Sequence, residues 1–334
     1  SHGEARAFEA KAAIVQRLVE RCGFDVLLFE APVYDFIAFD AAAAQRAATS
    51  SQLDRAIGRF WWTRELAPWR AWLFSRATAG ALVLGGIDDQ VSATADHARA
   101  ALPGMVAATS SLPEHASRCG ETVARNLNWS YNADTPFDDP EKARLHECVR
   151  SAADAAAARA GERRTQEQVM LENLASYVAR QVDASGAPER GAAMYRNVLW
   201  HVDRLPAGSR VIIWTATVHA SREQGPLAQQ PLGARLAARW GTDVAAIGFT
   251  AFTGSSSMAG QPARPLPETP PGSLEALATR DDVPWVFLDG PALRRFGLTP
   301  SRLLGRISEA DWSRHFDGVV VIREEVAPLF DAWK

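Results

Sequence analysis

Asp25-Val-Leu-Leu-Phe-Glu30 is a short apolar run closed at each end by a carboxylate, and it follows a helix-patterned stretch that Gly23 stops. Upstream, from Glu4 to Arg21, the residues Phe8, Ala12, Val15, Leu18 and Val19 recur at helical spacing with charges between them. That periodicity predicts an amphipathic helix, and glycine readily takes the left-handed conformation that ends one. The run beyond Gly23 is too short for a helix and reads as a buried strand. The same grammar returns at Ala81-Leu-Val-Leu-Gly85, Arg210-Val-Ile-Ile-Trp214, Val244-Ala-Ala-Ile-Gly248, Trp285-Val-Phe-Leu288 and Gly318-Val-Val-Val-Ile322. Short apolar runs separated by helices mark strands covered on both faces. The expected fold is therefore α/β, with a mixed, largely parallel central sheet flanked by helices. Function in such sheets collects where strands end, and Glu30, Asp88 and His219 sit at or just after such ends.

Two segments depart from this rhythm. From Asp139 to about His201 the chain is rich in Ala, Arg and Glu, with helices predicted from Pro140, over Thr165 to Arg180, and over Glu189 to Val202. This reads as a helical insertion, 139–202, within a single domain spanning 1–334. Gly254 to Gly272 is dense in Ser, Pro and Gly and reads as a long loop. No internal repeat is seen.

The composition narrows the function. With Lys+Arg 36 against Asp+Glu 39 and a net charge of -3, no basic stripe exists to follow a nucleic-acid backbone. No apolar run approaches the length of a membrane span. Cys22, Cys119 and Cys148 are far apart and odd in number, so they read as free thiols rather than a disulfide framework, which suits a cytoplasmic protein. The chain opens Ser1-His2-Gly3 without a signal-peptide pattern.

Familiar motifs are missing. Gly254-Ser-Ser-Ser-Met is followed by Ala, so it is no nucleophile elbow. There is no P-loop, no dinucleotide fingerprint after a strand, no HExxH and no zinc-type cysteine spacing, so no cofactor is expected. What remains is histidine with carboxylates. Of seven histidines, His97, His115, His146 and His315 read as solvated or structural, and His201 as a packing or capping residue. His219 follows a strongly apolar strand and is the functional candidate on pattern alone.

The opening resembles the erythromycin esterase family, whose members carry a Gly-Glu-x-x-His-Gly turn, a helix with a basic residue nine positions after the His, and a Glu ending the next strand. His2, Lys11 and Glu30 fall on those positions. Further along, Trp62-Thr-Arg-Glu65 with Trp69 and Trp72 resembles the family's Trp-x-x-Glu helix, and Gly86-Ile-Asp88-Asp-Gln90 its Gly-x-Asp-x-Gln turn. Arg190-Gly-Ala-Ala-Met194-Tyr-Arg-Asn197 is similar to its Arg-Asp-x-x-Met-Ala-x-Asn helix, with Gly191 for the Asp. Trp214-Thr-Ala-Thr-Val-His219 matches Trp-Ala-His-Asn-x-His with Ala216 for the first His, and Pro231-Leu-Gly233 and Phe316-Asp-Gly-Val-Val fit the closing elements. The family's first catalytic Glu would fall before Ser1.

The resemblance implies a hydrolase that cleaves an ester or lactone, a macrolide among the possible substrates and antibiotic resistance among the possible roles. Its water would be activated without a covalent serine intermediate. An imidazole near neutral pKa suits the base, which the resemblance assigns to His2, with Glu30 orienting it and His219 or Lys11 meeting the oxyanion. Lys11, Glu65, Asp88, Arg190 and Asn197 are the expected substrate-binding residues, and Trp61, Trp62, Trp69 and Trp72 either line an apolar cleft or pack the core. The expected partner is a small molecule. Two alternatives are a metal-dependent hydrolase, in which His and Glu ligate a divalent ion, and an inactive ligand-binding module, which Gly191 and Ala216 favour.

Overall fold

The structure, a computed structural model, describes residues 3–92, 94–109, 116–128, 137–159, 161, 163–182, 189–279 and 283–331. In chain order the elements begin with α1 (Ala5–Cys22), β1 (Val26–Pro32), α2 (Val33–Ala44), α3 (Ser50–Ile57), α4 (Ala67–Thr78) and β2 (Val83–Asp88). A helical stretch follows: α5 (Asp96–Thr109), α6 (Ala116–Asn128), α7 (Asp139–Ala158), α8 (Gln166–Val182) and α9 (Arg190–Val202). The remainder is β3 (Val211–Trp214), α10 (Thr217–Ala220), α11 (Leu232–Trp240), β4 (Ile247–Ser256), β5 (Arg264–Pro265), α12 (Leu274–Ala278) and β6 (Trp285–Asp289), then α13 (Gly290–Phe296), β7 (Leu298–Ser301), β8 (Ser308–Asp311), α14 (Trp312–His315) and β9 (Gly318–Glu325). The fold is mixed α/β, as the alternation of runs predicts.

The chain divides into two compact units, the first comprising 1–27, 59–83 and 208–334 and the second 28–58 and 84–207. β2 and β1 are neighbouring strands of one sheet, and the greater part of each lies in the second unit.

Within the first unit, β5-β4-β9-β6 form a four-stranded sheet and β7-β8 a two-stranded one. β4 pairs parallel to β9 from Ile247↔Gly318 to Gly254↔Glu325, and β6 pairs antiparallel on the other side of β9. Alternate residues of these strands feed two apolar layers, Leu288, Val319 and Val321 with Trp312 and Phe316 on one face and Phe249, Ala251, Val320 and Ile322 with Ala7 on the other. The predicted loop from Gly254 is corrected here. β4 runs on to Ser256 and pairs antiparallel with β5, Ser255 opposite Pro265. Gly254 allows this, because it sits at φ 116 and a Cβ there would lie 2.0 Å from the Glu325 carbonyl oxygen.

α1 buries Phe8, Ala12 and Val15 at the predicted spacing, and Gly23 at φ 71 closes it with a bond to Leu18 O. It has no acidic residue in its first turn. Glu325 supplies an acceptor from β9, accepting from Arg6 N at 2.6 Å and Ala7 N at 3.1 Å. A carboxylate there satisfies orphan helix donors and meets the positive end of the dipole.

The second unit has a helical core in which Leu102, Val106, Val123, Val149, Leu171, Leu174 and Val178 are buried together. The reading of three free thiols is overturned. Cys119 on α6 and Cys148 on α7 form a disulfide, with Cα atoms 5.4 Å apart, and only Cys22 is free. Neighbouring helices bring together two residues whose sequence spacing carries no pairing signal.

Among the described residues no helix is long and apolar enough to cross a membrane.

Candidate active site

β1 and β2 deliver Glu30 and Asp88, both buried, into the second unit. Arg190, the first residue of α9, joins them. Its Nη2 donates to Glu30 Oε1 at 3.0 Å and to Asp88 Oδ2 at 2.5 Å, and its Nε donates to Asp88 Oδ1 at 3.1 Å. The planar guanidinium fits a carboxylate through two parallel bonds, which fixes both groups in place. Burial opposes the Arg190 charge, but the bonds and charges of Asp88 and Glu30 outweigh it and hold the guanidinium above its ordinary pKa.

The backbone beneath Asp88 is fixed as well. Asn197, two turns along α9, donates to Ile87 O at 2.9 Å and exchanges amide bonds with Asn173 of α8 at 2.7 and 2.9 Å. His201 contacts Gly86 O through Nε2 at 2.9 Å. Burial holds its imidazole down at about 4, so near neutral pH it is an uncharged packing group, in keeping with its expected role. Gly85 and Gly86 permit this approach. A Cβ on Gly85 would lie 2.5 Å from the His201 ring, and one on Gly86 would lie 2.4 Å from Pro32 O.

Several polar groups here went unrecognised in the sequence. Asp89 is fully buried and paired with Arg180 of α8, and burial pushes its carboxyl pKa up against that pairing. Tyr34 donates its hydroxyl to Asp89 O at 2.8 Å, and burial with the neighbouring Asp89 and Asp88 charges keeps it protonated. Asp35 accepts from His97 N at 3.0 Å and so caps α5, while burial lifts its pKa to about 6. The repeated Asp at 88–89 was the available signal. Nothing in sequence ties Arg180 or Asp35 to it.

The other candidates lie in the first unit. Lys11 is buried on α1, donates to Thr215 O at 3.3 Å and sits over the rings of Phe249 at 5.0 Å and Trp214 at 5.9 Å. His219 is half-buried in α10, the turn that begins at Ala216. Thr217 mounts that turn on β4, its hydroxyl donating to Phe249 O at 3.1 Å and accepting from Phe249 N at 3.0 Å. Glu65 accepts from Leu329 N at 2.9 Å and so holds the C-terminal backbone. Of the two readings of the tryptophans, core packing holds for Trp61 and Trp69. They are buried, with Trp214 5.5 Å and 4.8 Å away between ring centroids. His315, read as structural, is buried against Ser221 Oγ at 2.8 Å. His2 lies outside the described residues. Among those residues no three His, Cys, Asp or Glu side chains converge as a metal site would require.

Comparison with known proteins places this geometry in context. The family model described as erythromycin esterase matches residues 19–325. The chain is similar in structure to a Bacillus cereus protein, with a TM-score of 0.71 at 16% identity over 99% of this chain and 88% of that one. A succinoglycan biosynthesis protein gives a TM-score of 0.71 at 12% identity over 99% and 87%. A mutant of the erythromycin esterase EreC in its open conformation gives 0.62 at 16% identity over 95% and 86%. At these identities the likeness shows the fold. No curated protein matches by sequence.

Proposed function

The chain belongs to the erythromycin esterase family, a family of hydrolases, and from that premise we propose that it cleaves an ester or lactone bond of a small molecule by activated water. The observation that carries the reading is the buried carboxylate pair, Glu30 and Asp88, locked by Arg190. A fixed anion is what an imidazole base needs beside it as it takes up a proton. In this proposal His2 is the base, Glu30 orients it and stabilises its charged form, and His219 or Lys11 meets the developing oxyanion. Asp88, Arg190, Asn197 and Glu65 are proposed to shape substrate binding. A macrolide lactone is one member of this substrate class, and loss of an antibiotic's lactone is how such a reaction would confer resistance.

Ala216 supports a second reading. It stands where the family resemblance expects a histidine, and it opens α10 without any imidazole. A lost oxyanion donor costs about 3–4 kcal/mol of transition-state stabilisation, so a binding module that has given up catalysis is the rival.

The test is a screen of ester and lactone substrates with wild type and Glu30→Gln, with thermal melting to confirm folding. The variant is nearly isosteric, and turnover should fall by about two to four orders of magnitude. Binding of an intact substrate analogue should change little, because the charge matters most once the proton has moved. Equal turnover by both folded proteins removes Glu30 from the mechanism. Ligand binding without turnover by either selects the binding module.

A further inference from the structure

The second unit contains a cavity of about 570 Å³ between α7, α8 and α9 that the ester reading does not use. Its volume falls within the range of about 300–1,000 Å³ typical of small-molecule sites. His146, Arg150 and Ala153 line it from one face of α7, and Ala175, Ser176 and Ala179 with Glu172 line it from one face of α8. The alanines leave the space open. Arg164, before α8, and Arg196, on α9, complete the wall.

The charges in this wall do not cancel. Three guanidiniums face the one carboxylate of Glu172. Arg164 takes that carboxylate at 3.0 Å and also donates to Arg196 O at 3.0 Å. Among the described residues Arg150 reaches only Asp154, at 3.6 Å, with both side chains largely exposed, a contact worth little in water. Arg196 donates to the neutral hydroxyl of Ser176 at 3.3 Å, and no carboxylate among the described residues lies within ion-pair distance of it. Ser176 also accepts from Arg180 at 3.0 Å. Burial and the like charges of Arg164 and Arg180 lower the Arg196 pKa, and the more distant charges of Asp89 and Glu172 only partly offset them. A half-buried cation with no carboxylate in direct contact is costly unless something else supplies one.

We propose that this cavity binds a small dianionic ligand of the phosphate-monoester class, held by Arg196, Arg164 and Arg150. The uncompensated charge in the wall matches a dianion, and guanidinium forks suit phosphate oxygens. The volume left beyond a phosphate group accommodates an organic portion against Ala153, Ala175 and Ala179. This does not depend on the ester reading, so either can fail without the other.

The experiment is titration calorimetry on the full chain at pH 8 with inorganic phosphate and with phenyl phosphate, at an ionic strength matched with sodium chloride. Wild type should bind both probes, and Arg196→Gln should bind them at least about tenfold more weakly, the usual scale for losing a charged hydrogen bond. Arg150→Gln, at an exposed position, keeps the fold intact and should also weaken binding, so it decides the matter if Arg196→Gln does not melt cooperatively. Tighter binding of phenyl phosphate assigns the remaining volume to an organic group, and equal binding assigns the free ion. No heat from wild type beyond the chloride control overturns the proposal, as does undiminished binding by both variants.

Discussion

Arg190 grips Asp88 through two of its nitrogens, Nε at 3.1 Å from Oδ1 and Nη2 at 2.5 Å from Oδ2. The same Nη2 lies 3.0 Å from Glu30 Oε1, so one guanidinium bridges the carboxylates of two strands. Removing it leaves two buried carboxylates facing each other. Arg190→Gln should therefore destabilise the protein by about 3–5 kcal/mol near neutral pH, the range for breaking a buried pair from one side. Urea unfolding of both proteins near neutral pH measures it. A loss under 1 kcal/mol would show that the carboxylates do not need this partner.

Gly86 tests how closely that site is built. A Cβ there would meet Pro32 O at 2.4 Å, Ala31 O at 2.7 Å and the Phe36 ring at 2.8 Å. Two of those neighbours are backbone carbonyls and cannot swing aside. Gly86→Ala should cost about 1–3 kcal/mol, as overpacking does. Because Asp88 lies two residues on, it should also loosen the Arg190 contact. A double cycle with Arg190→Gln should then show coupling above about 0.5 kcal/mol, and strict additivity would separate the glycine from the site.

Strand ends were the legible part of this molecule. The apolar runs at 25–30, 81–85 and 318–322 announce β1, β2 and β9, and the ordered motifs single out Asp88, Arg190 and Asn197, which the fold gathers within the second unit. What escaped the sequence depends on contacts between distant segments. Glu325 caps α1 from 318 residues or more away, and no local pattern points from a strand end to a helix start so remote. β5 hides in a Ser, Pro and Gly-rich stretch because turn composition says nothing about which strand a short edge segment joins. Cys119 and Cys148 meet only because α6 and α7 pack side by side.

That disulfide makes a stability prediction. It closes a loop with a sequence separation of 29, and chain-entropy reasoning gives about 3–4 kcal/mol for a loop of that size. Adding a reductant should lower the midpoint of unfolding accordingly, and Cys119→Ser with Cys148→Ser should abolish the response. Thiol labelling in denaturant supplies the check. The unreduced chain should take up one label, at Cys22, and the reduced chain two more. Three labels before reduction would restore the free-thiol reading.

The α1 cap yields a pH dependence. Burial and the nearby charge of Glu4 raise Glu325 from an ordinary 4.5 to about 7, against the bonds from Val326, Arg6 and Ala7 N–H groups. The folded state therefore keeps a proton that the unfolded chain releases above about 4.5. Stability from this group is fully present below that value and is lost as the pH rises through about 7. Asp35, lifted to about 6, adds a loss of the same sign over a lower window. His201, held at about 4, works the other way, contributing stability above the ordinary imidazole value that is lost as the pH falls. Unfolding curves alone would mix the three, so Glu325 must be read directly. Carboxyl-carbon NMR, with the Glu325 signal assigned by its disappearance in Glu325→Gln, should give a midpoint near 7. Glu4→Gln removes the like charge and should bring that midpoint down while burial still holds it above 4.5. A midpoint unmoved by Glu4→Gln would leave burial as the whole cause. A wild-type midpoint below 5 would mean that Glu325 caps α1 as an ordinary carboxylate, with no loss of stability near neutral pH.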